Sequence, residues 1–176
     1  MTSCSVSVFC VKVPIGNLQI SYCQKGVHSI EILQNVTDTS PTCENALEKD
    51  FTNKVLMECI QWLKFYFDAT FEQTDKSLPP VCPSVYFSKG DFTVRVWKTL
   101  SKCAPRGKTV SYGALASLCG SAGADRAVGR AMATNPLPLL VPCHRVVRAN
   151  GTVGTYSGGG QSVKQWLLVH EGALDR

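Results

Sequence analysis

The chain has 176 residues, 44% of them hydrophobic and 18% charged, with a formal net charge of +5 and a mean hydropathy of +0.02. That leaves room for one large domain or two small ones and excludes collagen-like, low-complexity and membrane-spanning chains. Its nine cysteines, an odd number without repeated close spacing, argue against a disulfide-stapled secreted domain and for an intracellular protein with reduced thiols.

The charge is split along the chain. Residues 1–88 carry −3 and residues 89–176 carry +8, so a polyanion partner is expected at the second half. Val6-Ser7-Val8-Phe9-Cys10-Val11 lacks a basic leader and alternates toward Lys12-Val13, which makes it a strand rather than a signal peptide. Val8 to Val13, Leu18 to Tyr22 and Val27 to Ile32, separated by Pro14-Ile15-Gly16-Asn17 and Lys25-Gly26, predict an antiparallel meander. Residues 34–43, with an Asn35-Val36-Thr37 sequon, read as a surface loop. From Leu47 to Phe67 the period becomes helical. Phe51, Val55, Leu56, Cys59, Ile60, Leu63 and Phe67 form a stripe that can cover one face of the sheet. Pro79, Pro80 and Pro83 mark a linker over 68–84, and a domain boundary falls near residue 88.

The second half reads as helical. A helix opens at Asp91 with Phe92, Val96, Trp97 and Leu100 inward. Ser111 caps a short helix ending before Gly120, and another runs from Ala124 to Met132. Two short helices joined by a tight turn are a helix-turn-helix pattern. On the second helix Arg126 and Arg130 stand four apart beside the small Ala127 and Ala131. That pattern fits either a solvated face or a close approach to a narrow groove. Val163, Trp166, Leu167 and His170 mark a last amphipathic helix.

Leu139-Leu140-Val141 is expected to be a buried strand ended by Pro142, and Cys143, His144 and Arg145 follow at once. A Cys-His pair alone fits a core cysteine with an incidental neighbour. Here Asn135-Pro136 upstream, with Asn150-Gly151 and Tyr156-Ser157-Gly158-Gly159-Gly160 downstream, place the pair in irregular backbone. A thiolate nucleophile in such a setting is activated by a base or a nearby positive charge. Glu171, near the end of the last helix, is available to orient the imidazole. The glycines around Gly151 and Gly154 form neither a dinucleotide fingerprint nor a phosphate loop, so no organic cofactor is expected. Cys23-x4-His28 is a weak metal-ligand pair by spacing.

Pro142-Cys143-His144-Arg145-Val146-Val147, Ser111-Tyr112-Gly113-Ala114-Leu115-Ala116, Arg126-Ala127-Val128-Gly129, Asn135-Pro136, Tyr156-Ser157-Gly158-Gly159 and Trp166-Leu167-Leu168-Val169-His170-Glu171-Gly172 together resemble the O6-alkylguanine-DNA alkyltransferases. They cover most of the chain after residue 90, while the first half matches mainly at its opening strands. The resemblance implies an α+β protein: a ribonuclease H-like sheet with a covering helix over 1–88, then a winged helix-turn-helix over 89–176. It implies repair of O6-alkylguanine, with O4-alkylthymine as a secondary expectation, by a monomer that acts in the nucleus on the minor groove of duplex DNA.

In that family the base is flipped and its alkyl group passes irreversibly to the residue matching Cys143. His144 and Glu171 would form a relay through water, Asn135 would brace the active-site turn, and Tyr112 would help rotate the nucleotide. Arg126 would fill the vacated stack, within a DNA surface of Thr93, Tyr112, Gly113, Ser121, Arg126, Ala127, Gly129, Arg130 and Ala149. Backbone carbonyls at Cys143 and Val146 would read the guanine amino group. Tyr156, Ser157 and Gly158 would close the base pocket, and Arg145 would be structural. Some animal members hold a structural zinc. Cys4, Cys23 and His28 match three of its ligands, and Cys82 stands near the fourth, a histidine in the family. The other functions weighed are a thiol hydrolase, a damage-binding module without chemistry, and a transcriptional regulator.

Overall fold

The computed structural model describes residues 4–33, 52–68 and 77–175, which fall into two compact units divided between Phe87 and Ser88. In the first unit β1 (Ser7–Val13), β2 (Gly16–Cys23) and β3 (Gly26–Leu33) form an antiparallel meander in that order. Central Ile20 pairs with Phe9 on one side and Ile30 on the other. Period-two alternation puts Leu18, Ile20 and Tyr22 on one buried face. Helix α1 (Lys54–Phe67) covers that side. Asn53 caps it, accepting from the Leu56 N–H at 3.1 Å.

The start of the predicted helix, Leu47 to Phe51, and the whole of the predicted 34–43 loop lie outside the described residues. Within α1 the inward stripe ends on Tyr66, which is buried, while Phe67 is only partly so. Residues 69–76 of the expected linker also lie outside the described residues, and its remainder contains more structure than the prolines indicated. Val27 donates to the Pro80 carbonyl at 2.8 Å and accepts from Cys82 N–H at 2.9 Å, a parallel bridge that adds Val81 to the sheet edge. Gly26 permits it. A Cβ there would collide with the backbone of Val81 and Cys82, and its φ of +151° suits glycine. A short helix, α2 (Ser84–Phe87), follows.

The second unit packs α3 (Asp91–Cys103), α4 (Tyr112–Leu118) and α5 (Asp125–Ala133) on one another. Val96, Trp97 and Leu100 are buried, and the Trp97 indole donates to the Ala131 carbonyl at 2.8 Å. Ser111 caps α4 by accepting from Ala114 N–H at 3.1 Å. The turn into α5 closes with Ser121 N–H on the Ala116 carbonyl and Gly120 at φ +71°, as a helix C-terminus requires. A two-residue strand β4 (Val110–Ser111) runs parallel to β5 (Val146–Val147). That pairing sets the start of α4 beside the segment leaving Cys143. Helix α6 (Gly160–His170) ends the unit.

Two expectations fail here. Leu139-Leu140-Val141 is buried but is a turn, not a strand, with Leu139 at φ +74°. Val141 N–H closes on the Leu137 carbonyl at 2.8 Å, and Asn135 holds both ends of the turn. On α6 Trp166 is 39% exposed while Lys164 is 1% exposed. The buried stripe is Lys164, Leu167, Leu168 and then Glu171, positions i, i+3, i+4 and i+7.

Candidate active site

Asn135 organises the turn that carries the thiol. Its Oδ1 accepts from Leu137 N–H at 2.9 Å, and its Nδ2 donates to the Val141 carbonyl at 3.0 Å and to Cys143 Sγ at 3.1 Å. Pro142 then leads into a single 3-10 turn, Cys143–Arg145. Cys143 is 4% exposed. Burial pushes its thiol up, against the Asn135 hydrogen bond and the charge of Lys164, which favour the thiolate.

His144 is fully buried, with Nε2 2.9 Å from Glu171 Oε1. Burial pulls its imidazole down, outweighing the pull of Glu171, so the ring is neutral at neutral pH. Glu171 Oε1 then takes the Nε2 proton as a hydrogen bond, leaving the Nδ1 side to act as base. Arg145 forks onto the same carboxylate, Nε to Oε2 at 2.8 Å and Nη2 to Oε1 at 2.9 Å, and donates Nη1 to the Ala104 carbonyl at 2.8 Å. Burial opposes the charge of Glu171. The His144 hydrogen bond and the Arg145 guanidinium prevail, holding the carboxyl well below the usual carboxylate range.

A cavity of about 260 Å³ opens on Cys143 between Tyr112, Gly129, Tyr156 and Ser157, with Met132, Ala133, Thr155 and Lys164 completing its wall. The Tyr156 hydroxyl is buried and faces the Cys143 sulfur, whose thiolate it favours. Gly158 lets that ring lie flat against the loop, since a Cβ there would stand 2.8 Å from it. Cys143, Tyr112, Tyr156, Ser157 and Gly129 are therefore brought together, with His144 and Glu171 behind the thiol. Val146 is buried, and its carbonyl accepts from Lys164 Nζ at 2.7 Å.

Arg126, Ala127 and Arg130 are exposed on α5. Gly113 is the second residue of α4, Ser121 lies in the turn after it, Thr93 lies in the first turn of α3, and Ala149 is exposed after β5. Sequence reasoning missed Met132, Ala133, Thr155 and Lys164. Lys164 had a signal in the stripe it shares with Glu171.

In the first unit Cys4, Cys23, His28 and Cys82 present ligand atoms that all lie within 4.8 Å of one another. Cys82 Sγ is 3.8 Å from both Cys4 Sγ and Cys23 Sγ, the edge of a tetrahedron with metal–sulfur bonds of about 2.3 Å. Among the described residues His28 Nε2 is buried without a hydrogen-bond partner. Its Nδ1 lies 3.5 Å from Ser84 Oγ, which is 3.2 Å from Cys82 Sγ. Three thiols and one imidazole are a donor set suited to zinc, with Cys82 delivered by the bridge at Val27.

Residues 91–173 match the family model of the 6-O-methylguanine DNA methyltransferase DNA-binding domain. The mouse methylated-DNA–protein-cysteine methyltransferase is 41% identical over 176 residues, covering 97% of this chain and 83% of its own. The human protein of the same name is 40% identical over 161 residues, covering 90% and 77%. A solved structure of Mycobacterium tuberculosis OGT in complex with DNA is 30% identical, with a TM-score of 0.72 over 94% of this chain and 92% of that one.

Proposed function

The chain belongs to the methylated-DNA–protein-cysteine methyltransferase family, and from that premise we propose that it repairs O6-alkylguanine in duplex DNA by taking the alkyl group onto Cys143. The observation that carries this is a buried thiol at the floor of a cavity, braced by Asn135 and backed by His144 and Glu171.

The O6 substituent lies inside the base stack, so the base must leave it to reach the thiol. Arg126 and Arg130, with the small Ala127 between them, present α5 to the minor groove, where close backbone approach and an inserted side chain favour extrusion. Arg126 fills the gap, and Tyr112, at the first residue of α4, guides the nucleotide toward Cys143. Thr93, Gly113, Ser121, Gly129 and Ala149 complete the DNA surface.

In the pocket the thiol proton passes through water to His144 Nδ1, while Glu171 holds Nε2–H and stabilises the imidazolium. The sulfur lone pair forms the S–C bond as the C–O6 bond breaks, and that electron pair goes to the guanine. Ser157 N–H faces O6, and the Tyr112 phenol at the base edge is available to return a proton. The Val146 carbonyl has two lone pairs, one taken by Lys164 and the other left for the guanine amino group. The thioether product has no leaving group for hydrolysis, so one chain is consumed per lesion. No organic cofactor takes part.

Cys4, Cys23, His28 and Cys82 would hold a zinc ion that cross-links the first strand, the meander and the segment before α2 and supplies stability. The protein would work as a monomer and, serving chromosomal DNA, in the nucleus. Titration with a duplex carrying radiolabelled O6-methylguanine tests the activity. Label on the protein should plateau at one methyl per chain. Continued turnover, or label that stays on the DNA, would refute it.

A further inference from the structure

Helix α6 buries a cation for which the reaction above has no use. Lys164 is 1% exposed and lines the cavity beside Cys143. It spends one of its three donors on the Val146 carbonyl at 2.7 Å. Among the described residues it has no carboxylate partner, and both oxygens of Glu171 are already engaged by His144 and Arg145. A buried ammonium without an anion is costly, and an apolar side chain would serve the stripe better.

The groups around it narrow the choice of anion. Burial pushes the phenols of Tyr112 and Tyr156 up, so both are protonated at neutral pH. Asn135 is neutral. Exposed Arg148 adds only repulsion to Lys164. That leaves the sulfur. We propose that Lys164 is the counter-ion of the Cys143 thiolate, an ammonium fixed by the Val146 carbonyl that holds negative charge at the reacting sulfur. Lys164 is thus a positioning residue acting on the nucleophile through the field in the cavity. The influence is mutual: burial lowers Lys164 and a thiolate at Cys143 raises it again, while burial raises Cys143 and Lys164 opposes that. The proposal rests on Cys143 being the nucleophile and complements the His144 relay, which takes the proton while Lys164 stabilises the charge left behind.

The test is alkylation of Cys143 by iodoacetamide in the intact chain, followed by peptide mass against pH for wild type, Lys164→Met and Lys164→Arg. The Met variant keeps the apolar stem and loses the charge. Its profile should move up by about one pH unit, with a neutral-pH rate about ten-fold lower, and the Arg variant should lie nearer wild type. A folded Met variant with the wild-type profile overturns the proposal. Should the Met variant not fold, carbon NMR of Lys164 Cε in wild type decides. Its titration should move to lower pH once Cys143 is S-methylated, and an unchanged titration is equally fatal. Iodoacetamide needs no alkylguanine, so failure of the chain to accept methyl from DNA would be seen separately and leave this result standing.

Discussion

Glu171 serves two cationic or hydrogen-bonding partners at once, and each use constrains the other. With its side chain fully buried and Arg145 only 11% exposed, replacing the carboxylate by an amide strands a guanidinium in the interior. Glu171→Gln should therefore cost about 3–5 kcal/mol at neutral pH, read from urea unfolding. The carboxyl is held below its unfolded value, so its stabilisation is present above about pH 4.3 and is lost as pH falls toward the folded value. The gap between variant and wild type should narrow progressively below that point. A gap constant with pH would mean that the amide merely disturbs packing. His144 carries the chemical half of the prediction. His144→Ala should slow alkyl transfer from free O6-benzylguanine by about 10²–10⁴-fold, as expected for loss of a general base. A folded variant with the wild-type rate and pH profile would leave activation to Lys164 and Asn135 alone.

At the scale of elements, α5 presents Arg126 while α4 and the Cys143 turn hold the pocket, so the two tasks can be separated. Arg126→Ala should weaken repair of duplex DNA far more than reaction with free O6-benzylguanine, because only the duplex requires extrusion. Equal losses on both substrates would place Arg126 in the pocket. The elements also show what was legible beforehand. The meander and α3 to α5 followed from period and caps, since Leu18, Ile20 and Tyr22 alternate and Ser111 has the hydroxyl its helix needs. Leu139-Leu140-Val141 did not, because the side-chain bonds of Asn135 override the strand preference of an apolar run. The inward face of α6 is not legible in the same way, because it buries Lys164, a residue type almost never fully buried unless paired, and leaves the large Trp166 exposed. The Pro80-to-Cys82 bridge depends on the bare Cα of Gly26, a tertiary contact that local pattern cannot reveal.

On the scale of the molecule, the basic half carries the proposed DNA chemistry and the acidic half a candidate metal centre. Protein purified without chelator should contain one zinc per chain. Its removal should lower the melting temperature while Cys143 stays reactive in the protein that remains folded, and elemental analysis finding no zinc would end that part of the account. The net positive charge of residues 89–176 further predicts DNA affinity that falls steeply with salt, and Cys143→Ala should retain that affinity. The central claim is that Cys143 itself receives the alkyl group, and intact mass with peptide mapping tests it directly. After incubation with duplex containing O6-methylguanine, wild type should gain the mass of one methylene, on the peptide bearing Cys143, and Cys143→Ala should gain none. A methyl group on another cysteine, or repaired DNA beside unmodified protein, would contradict the account.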